Sequence, residues 1–511
     1  MNAHGIEPQV RPQVLLINPT VVKRAHARFP LSLLTLSATL ADRYAVRIID
    51  GNLDRDFVAT ARKAVAGGTY CAVGVSVMGG PQLRPAIEVS RAIRAASPAT
   101  PVIWGGYFPT LYPEAAANAD YVDYVLRGPV EQSLLELLGN LDPRHPLAFA
   151  AIDGLSRRQD GSILHNPLRR RVATRPEGLL PYHLLGDPRK YLGRTFLGNR
   201  TAVHQAATGC RFRCTFCGVA AMFRGATTLS DGATLERDLR YLKEVVGADS
   251  IHYMDNNFFD READMMPMLE VQARMELPWW CFARADAMLN LSSRSWDLIR
   301  KSRLRMAYIG AESPSDATLR DLRKGTRCNQ TIDVVRLCRA HGVVPELSFM
   351  VAPPQDPEGE TERTFEFIRQ IKKISPEAEI VVYVYTPIPG GAALGGALPT
   401  RSGIELLDVN GDPVVFPATP EEWALPQWVA YACHADAPWL TERLRSRIRD
   451  FVTVLSCRFP TTQDIRSPSW AKAALRHVAS ARYSLRRYDR PWELHLSQRL
   501  VRLADPRATS L

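Results

Sequence analysis

Short apolar runs alternate with amphipathic stretches over the first 140 residues of the chain. A run of about four to eight apolar residues predicts a strand buried on both faces, whereas recurrence every three or four positions predicts a helix. The apolar runs predict strands at 13–18, 46–50, 72–77, 101–106 and 121–126. The amphipathic stretches predict helices at 31–43, 54–66, 82–96 and up to about Leu138. This alternation indicates a doubly wound α/β domain, Rossmann-like in its layers, with a parallel sheet.

A second series of strands and helices begins near Thr201. Helical patterns fill the gaps between six predicted strands, which lie at 201–207, 250–255, 279–284, 305–311, 344–350 and 379–385. Six such units predict a partial (β/α)6 barrel, similar to a TIM barrel that stays open. Functional side chains of such barrels lie on the loops that follow the strands.

The remaining segments have a different composition. Residues 141–200 are rich in Pro, Arg and Gly and have weak periodicity, and within them Asp160-Gly161 predicts a β-hairpin turn. Residues 401–511 have a mostly helical, amphipathic pattern. We therefore expect an α/β domain at 1–140, a surface connector at 141–200, a barrel at 201–400 and a helical basic region at 401–511.

Composition is that of a water-soluble globular protein, with 46% apolar and 23% charged residues. No apolar run has the length of a transmembrane helix, and the N-terminus lacks the apolar core of a signal peptide. These features predict a cytoplasmic protein whose nine cysteines are reduced thiols rather than a disulfide framework.

Three of the cysteines cluster directly after the first strand of the second series. Cys210, Cys214 and Cys217 have the spacing C-x3-C-x2-C. Three thiolates can bind three irons of a 4Fe-4S cubane, which is normally held by four, and leave the fourth iron open to a ligand. Phe216, just before the last cysteine, is placed to shield such a cluster.

Two alternatives use the same cysteines. A structural zinc ion requires a fourth ligand, and the nearest upstream histidine is His204, while no second Cys pair follows. Redox dithiol chemistry requires only two cysteines, and unrelated buried cysteines require no chemistry at all.

The cysteine segment resembles the cluster motif of the radical S-adenosylmethionine superfamily, in spacing and in its place after the first barrel strand. Later strand ends agree with this family in order: MDNNFFD at 254–260, CFARAD at 281–286 and IGAES at 309–313. The resemblance implies that the three cysteines hold a 4Fe-4S cluster and that Arg284 and Glu312 lie near bound S-adenosyl-L-methionine. Asp255-Asn256-Asn257 departs from the Gly-Gly-Glu often found on the second strand, so contact with the cofactor's amino group stays unassigned.

The first domain lacks G-x-G-x-x-G, so dinucleotide binding is not indicated. Glycines and polar residues instead follow its strands, at the sheet edge where open α/β sheets bind ligands. In order they resemble the cobalamin-binding domain fused ahead of many radical S-adenosylmethionine enzymes. The residues that this resemblance places at cobalamin are Asn18, Ser76, Gly79, Gly105, Gly106, Gly128 and Glu131.

The cobalamin motif D-x-H-x-x-G is absent from the chain, so the resemblance implies cobalt without a histidine ligand from that motif. His26, after the first strand, lies near the right place but lacks the surrounding pattern. A domain that keeps the fold without binding cobalamin is the alternative, because a fold does not fix function.

Together the resemblances imply a cobalamin-dependent radical enzyme, most simply a methyltransferase acting on an unactivated carbon of a small-molecule or lipid-like intermediate. A one-electron reductant such as flavodoxin or ferredoxin is then expected as a partner. Relatives that perform cyclisation or rearrangement provide a second interpretation with the same cofactors.

The net charge of +11 is concentrated at the C-terminus, where residues 441–511 contain 15 Arg or Lys against 6 Asp or Glu. Phe451, Val454 and Leu455 share one helical face, and Trp470, Ala474 and His477 share another. A helical cap on the barrel with arginines in water is the first interpretation, and peripheral contact with an anionic membrane is the second. A basic nucleic-acid-binding protein is the alternative from another class, but the tail lacks a recognisable recognition module, so nucleic acid is not expected as a partner.

Overall fold

The first part of the chain forms a sheet covered by helices on both faces. The computed structural model describes residues 11–142, 149–169, 177–388, 406–461 and 469–496. Its first strands are β1 Gln13–Asn18, β2 Ala45–Asp50, β3 Tyr70–Ser76, β4 Val102–Gly105, β5 Tyr124–Leu126, β6 Leu155–Gln159 and β7 Ser162–His165. The helices around them are α1 Leu31–Leu40, α2 Phe57–Ala66, α3 Leu83–Ala96, α4 Tyr107–Leu111, α5 Pro113–Asn118 and α6 Glu131–Asn140.

These strands hydrogen-bond in the order β2-β1-β3-β4-β5-β6-β7, and the first five are parallel. The central strand β1 is buried on both faces: Leu15 and Ile17 pack into one core, and Val14 and Leu16 pack into another. Burial on both sides explains its uninterrupted apolar run. The predicted doubly wound α/β domain is confirmed.

The predicted hairpin is also present. Asp160 and Gly161 form its turn with φ of 51° and 77°, and β6 and β7 pair antiparallel around them. The hairpin does not lie apart from the sheet, because Tyr124 of β5 pairs with Arg157 of β6. Part of the segment expected to be a connector therefore extends the edge of the first sheet.

The second part is a partial barrel. Its strands are β8 Thr201–His204, β9 Ala207–Gly209, β10 Thr227–Leu229, β11 Ser250–Tyr253, β12 Trp279–Ala283, β13 Leu304–Glu312, β14 Val344–Val351 and β15 Glu379–Val384. Its helices are α7 Gly218–Phe223, α8 Gly232–Arg240, α9 Glu262–Met275, α10 Ala285–Leu289, α11 Ser293–Lys301, α12 Asp316–Asp321, α13 Cys328–Ala340 and α14 Pro357–Ile374.

Six of these strands are parallel and follow one another in the order β15-β14-β13-β12-β11-β8, so the sheet stays open between its first and last strands. The side chains of β12 point alternately to the two faces of the sheet. Trp279 and Cys281 are fully buried beneath the helices, whereas Trp280 and Phe282 are partly exposed on the inner face. This arrangement confirms the predicted partial (β/α)6 barrel.

The C-terminal part is helical, as predicted, and contains α15 Pro420–Trp423, α16 Pro426–Ala432, α17 Glu442–Arg458 and α18 Ser469–Ser484. Phe451 of α17 stacks on Phe365 of α14 with 3.7 Å between ring centroids, and Val454 and Leu455 are buried beside it. Trp470 and Ala474, on the other predicted face, lie outside the described side chains. Among the described residues, none of the helices is both long and apolar enough to cross a bilayer.

The Phe365–Phe451 stack anchors the C-terminal helices to α14, which leads to a prediction about stability. Phe451→Ala leaves a cavity against α14 and is expected to lower the free energy of unfolding by about 3–5 kcal/mol in a urea titration. Val452→Ala is the matched control, because Val452 is 36% exposed on the other side of the same helix. An equal loss in both variants would contradict the packing.

Candidate functional site

The three clustered cysteines lie on the loop that follows β9. Cys214 is buried, Cys210 and Cys217 are partly exposed, and the Cys217 N–H donates to the Cys214 carbonyl at 3.2 Å. Burial raises the pKa of Cys210 and raises the pKa of Cys217 to about 11. The thiolate forms that bind metal therefore require positive charge nearby.

Arg284, at the end of β12, provides one such charge. Its Nη1 lies 3.9 Å from the Cys214 sulfur, and its guanidinium carbon lies 3.6 Å from the centre of the Phe212 ring. Two hydrogen bonds of 3.0 Å to the Asp286 carboxylate fix the guanidinium in this position. The side chain is only 5% exposed, so its charge is weakly screened by water.

Lys324 provides the second charge. Its Nζ lies 2.6 Å from Oε1 of Glu312, and both side chains are buried. Burial acts to lower the pKa of Lys324, but the carboxylate of Glu312 and the Cys214 thiol outweigh it, so this pKa is raised. The ammonium also lies 5.8 Å from the centre of the Phe216 ring, within the range of a cation–π contact.

The backbone of β13 aims Glu312 into this site. The register with β14 shifts between Gly310 and Glu312, and Glu312 has a φ of 63°, which is strained for a residue with a side chain. A Cβ at Gly310 would collide with the Glu312 carboxylate and lie 2.5 Å from Lys324 Nζ. A glycine is therefore required beneath the buried ion pair.

The donor set fits a cluster better than a single ion. Within the described ranges, no three His, Cys, Asp or Glu side chains are arranged as ligands of one metal ion. In a cubane each thiolate binds a different iron, so its ligands do not converge on one point. One buried and two partly exposed thiols flanked by two cations also match the negative charge of such a group.

The polar loop after β11 holds the cysteine loop in place. Asp255 is completely buried, and its carboxylate accepts hydrogen bonds from the N–H groups of Ala206 and Ala207. Burial raises the pKa of Asp255 to about 7. The amide of Asn256 donates to the Gly209 carbonyl at 3.3 Å, directly before Cys210. These side chains position the backbone that carries the cysteines.

Four of the residues expected at cobalamin come together at the carboxyl edge of the first sheet. Ser76 and Gly105 are register partners on β3 and β4. The Thr110 hydroxyl donates to the Gly106 carbonyl at 2.7 Å and accepts from the Gly128 N–H at 3.0 Å. This hydroxyl therefore ties two loops into one surface.

Glycines, which have no side chain, shape this edge of the first sheet. The φ angles of Gly79, Gly106 and Gly128 are 93°, 105° and 76°, which side chains rarely adopt. A Cβ at Gly106 would lie 3.0 Å from the Val77 carbonyl oxygen, and one at Gly79 would touch the Phe108 ring at 3.4 Å. At these three glycines the backbone therefore carries no side chain that would keep a flat ligand away.

Asn18 and Glu131 lie at the same edge of the sheet but have different hydrogen-bonding surroundings. Asn18 donates to Asp50 at 3.0 Å and accepts from Gln82 at 3.1 Å, so it forms part of a network at the end of β1. Glu131 begins α6, and burial raises its pKa. Among the described residues its Oε2 is buried without a hydrogen-bond partner, which suits a ligand that offers amide N–H groups.

One tyrosine joins the two edges. Tyr107 directly follows Gly106, and its hydroxyl contacts Gly218, the residue after Cys217. A Cβ at Gly218 would collide with that hydroxyl, and a Cβ at Gly128 would lie 3.2 Å from the Met222 carbonyl oxygen. The glycine edge of the first sheet thus faces the cysteine loop of the second.

Sequence reasoning missed Lys324 and His434. His434 follows α16, has a φ of 54°, and its Nδ1 is hydrogen-bonded to the Thr386 hydroxyl. Burial lowers the pKa of His434, and the charge of Glu312 acts in the opposite direction. Neither residue ends a strand, so strand-end patterns do not reveal them. Arg323 and Gly325, on either side of Lys324, have positive φ angles, and this turn is the feature that marks Lys324.

A cavity of about 140 Å³ adjoins Glu312 and the cysteine loop. Its walls include Thr215, Ser313, Met350 and Tyr385. The Ser313 hydroxyl donates to the buried carboxylate of Glu360, which fixes one polar side of this cavity.

Family models match both parts of the chain. A B12 binding domain matches residues 17–138, and the radical SAM superfamily matches residues 205–368. The first match contains the glycine edge, and the second contains the cysteines, Arg284 and Glu312. The predicted resemblance to a cobalamin-binding domain followed by a radical SAM core is confirmed.

Relatives have low identity but long alignments. An uncharacterised methyltransferase of Pyrococcus horikoshii is 24% identical over 368 residues, which are 71% of this chain and 76% of the relative. A hopanoid C-2 methylase of Rhodopseudomonas palustris is 24% identical over 67% of this chain and 59% of its own length. An anaerobic magnesium-protoporphyrin IX monomethyl ester cyclase of Synechocystis is 22% identical over 55% of each. The chain thus spans little more than half the length of the last two.

Solved structures share the fold. The radical S-adenosylmethionine methyltransferase TsrM from Kitasatospora setae, with cobalamin and a [4Fe-4S] cluster bound, has a TM-score of 0.62 and 17% identity. That alignment covers 92% of this chain and 100% of TsrM. The cobalamin-dependent enzyme OxsB has a TM-score of 0.64 and 17% identity, over 93% of this chain and 71% of OxsB.

The cysteine loop predicts iron content. After anaerobic reconstitution the chain is expected to hold about four irons, and replacing Cys210, Cys214 and Cys217 together by Ala is expected to abolish them. Cys71→Ala is the control, because Cys71 lies on β3 far from the loop in sequence. Full iron in the triple variant would refute the assignment.

The Tyr107–Gly218 contact predicts a steric response. Gly218→Ala forces a methyl group against the Tyr107 hydroxyl and is expected to lower the free energy of unfolding by about 1–3 kcal/mol. Adding Tyr107→Phe removes the hydroxyl oxygen, which is the atom nearest to that methyl group, and is expected to recover part of that loss. Gly139→Ala is the control, because nothing lies within 4 Å of a Cβ built there. Denaturant titration measures all three, and a double variant less stable than Gly218→Ala would argue against the contact.

Proposed function

Because the chain joins a B12-binding domain to a radical SAM domain, it belongs to the cobalamin-dependent radical SAM enzymes, and we propose that it methylates an unactivated carbon. The substrate in this proposal is a small-molecule or lipid-like biosynthetic intermediate. The observation that supports it is the contact between Tyr107 and Gly218, because it brings the glycine edge next to the cysteine loop.

Cys210, Cys214 and Cys217 would hold the cluster, and the charges of Arg284 and Lys324 stabilise their thiolates. When bound, the cluster supplies one electron to S-adenosylmethionine, and cobalamin supplies a methyl group. Phe212 and Phe216 cover the two cations and limit the access of water to the thiols.

Arg284, Phe216 and Glu312 are the residues that we assign to S-adenosylmethionine. Glu312 borders the 140 Å³ cavity, and its carboxylate is already oriented by Lys324. A preset carboxylate can accept hydrogen bonds from ribose hydroxyls or an amino group without reorganising.

Cobalamin would lie on the glycine edge, with its amide groups near Glu131 and its ring on the bare backbone of Gly79, Gly105, Gly106 and Gly128. Asn18 and Ser76 border the same edge. We propose that cobalt has no histidine ligand from a D-x-H-x-x-G motif, since the chain contains none. His26 is in a short turn after β1 and is not assigned as a ligand.

The substrate would meet the inner face of the barrel between the two edges. Tyr308 and Tyr383 lie there with their hydroxyl oxygens 3.4 Å apart, and the His434 ring lies 6.1 Å from that of Tyr383. Such walls suit an apolar skeleton with one hydrogen-bonding group. One relative is named as a hopanoid C-2 methylase, and a structure of TsrM holds tryptophan as its substrate.

The electron would come from a one-electron reductant such as flavodoxin or ferredoxin. Arg211 and Arg213, on the cysteine loop, are exposed and suit an acidic partner. Cyclisation or rearrangement is the second candidate function, favoured by the likeness to the anaerobic cyclase.

The proposal predicts methyl transfer. Reconstituted enzyme with cobalamin, a reductant and S-adenosylmethionine carrying a deuterated methyl group is incubated with a metabolite and lipid extract. Mass spectrometry is expected to find a product that has gained the labelled methyl group, and the triple cysteine variant is expected to form none. Formation of 5′-deoxyadenosine with an unlabelled, altered product would instead support the cyclisation alternative.

A further inference from the structure

The last described part of the chain exposes large apolar side chains that the cap does not use. Val478, Leu485, Trp492 and Leu496 are 44%, 67%, 69% and 54% exposed, and we name these four the C-terminal strip. Large apolar groups in water are costly when they occur together rather than singly. The strip therefore requires a partner that covers it.

The strip belongs to one folded unit. Val478 lies on α18 and Leu485 directly follows the last residue of that helix, whereas Trp492 and Leu496 lie four residues apart on a helical turn at 492–496. Arg482 joins the two pieces, because it donates to the carboxylate of Glu493 and to the Arg490 carbonyl.

The opposite side of the same unit packs on the barrel. Tyr483, Tyr488 and Leu494 are buried there, and Arg369 of α14 donates to the Tyr483 carbonyl and to the Tyr488 hydroxyl at 2.8 Å. The cap predicted from the sequence is therefore present on one side. It leaves the strip on the other side, facing solvent.

Arginines surround the strip. Arg476, Arg486, Arg487 and Arg490 are all exposed, and of these Arg486 pairs with Glu366 at 3.1 Å. Among the described residues the other three form no ion pair with a carboxylate. Their charges are therefore available to an anionic partner at the same surface as the exposed Trp492.

We propose that the C-terminal strip docks on an anionic lipid bilayer, with Trp492 and its apolar neighbours at the headgroup boundary and the arginines on lipid phosphates. Tryptophan and arginine beside aliphatic side chains are the composition that binds this boundary. A second copy of the chain fits poorly, because a symmetric interface would place like charges opposite each other. Nucleic acid provides no apolar phase for the three aliphatic side chains.

Vesicle sedimentation with the full chain tests the docking and needs neither cofactor nor methyl transfer, so it is independent of the proposed function. We expect sedimentation with vesicles of phosphatidylcholine and phosphatidylglycerol, little with phosphatidylcholine alone, and a decrease as salt screens the arginines. Failure to sediment with the anionic vesicles would overturn the proposal, as would equal sedimentation with both kinds of vesicle.

Two variants test the residues. Trp492→Ser with Leu496→Ser is expected to weaken binding to the anionic vesicles about tenfold, because two apolar side chains no longer enter the boundary. Val415→Ser is the control, since Val415 is 82% exposed elsewhere on the surface, and its binding is expected to match the wild type. Thermal unfolding checks that both proteins are folded. Equal binding of vesicles by the two variants would overturn the proposal. So would a wild-type chain that forms a dimer but binds no vesicles, if the first variant loses that dimer.

Discussion

The contact between Tyr107 and Gly218 is the constraint on which the arrangement of the site depends. Tyr107 begins the helix after Gly106, and Gly218 begins the helix after Cys217, so their contact joins the glycine edge of the first sheet to the cysteine loop of the second. Glycine is needed at both ends: Gly106 for its positive φ and Gly218 for the space that the tyrosine occupies. In the proposed enzyme, groups held at the two edges would meet only while this contact keeps the edges together.

Charge balance is the second constraint. Three thiols and a carboxylate share a poorly solvated site with Arg284 and Lys324, and burial alone would keep the thiols protonated. The two cations act against that tendency, and the carboxylates of Asp286 and Glu312 hold them in place. The strained φ of Glu312 and the bulge in β13 are the conformational costs of this arrangement. An assembly of this kind is stable only when all of its charged members are present.

Much of this architecture could be predicted from local sequence. Cys210, Cys214 and Cys217 are close in the chain, and Arg284 and Glu312 lie at the ends of predicted strands, so the strand pattern together with the resemblance to the radical SAM family predicted that they lie near one another. The turn at Asp160-Gly161 was equally visible. Lys324 was not, because its role comes from a loop that returns to the site through tertiary packing. Pairing of β6 with β5 was missed for the same reason, since edge pairing leaves no periodic pattern.

Electron paramagnetic resonance of one reduced sample tests the central claim that one chain binds both cofactors. The chain reconstituted with iron, sulfide and cobalamin is reduced and recorded before and after S-adenosylmethionine is added. The account predicts a cubane signal that shifts when S-adenosylmethionine binds its open iron, together with a cobalt(II) signal without nitrogen splitting from an axial histidine. A cubane signal unchanged by S-adenosylmethionine, or a sample that retains iron but no cobalamin, would contradict it.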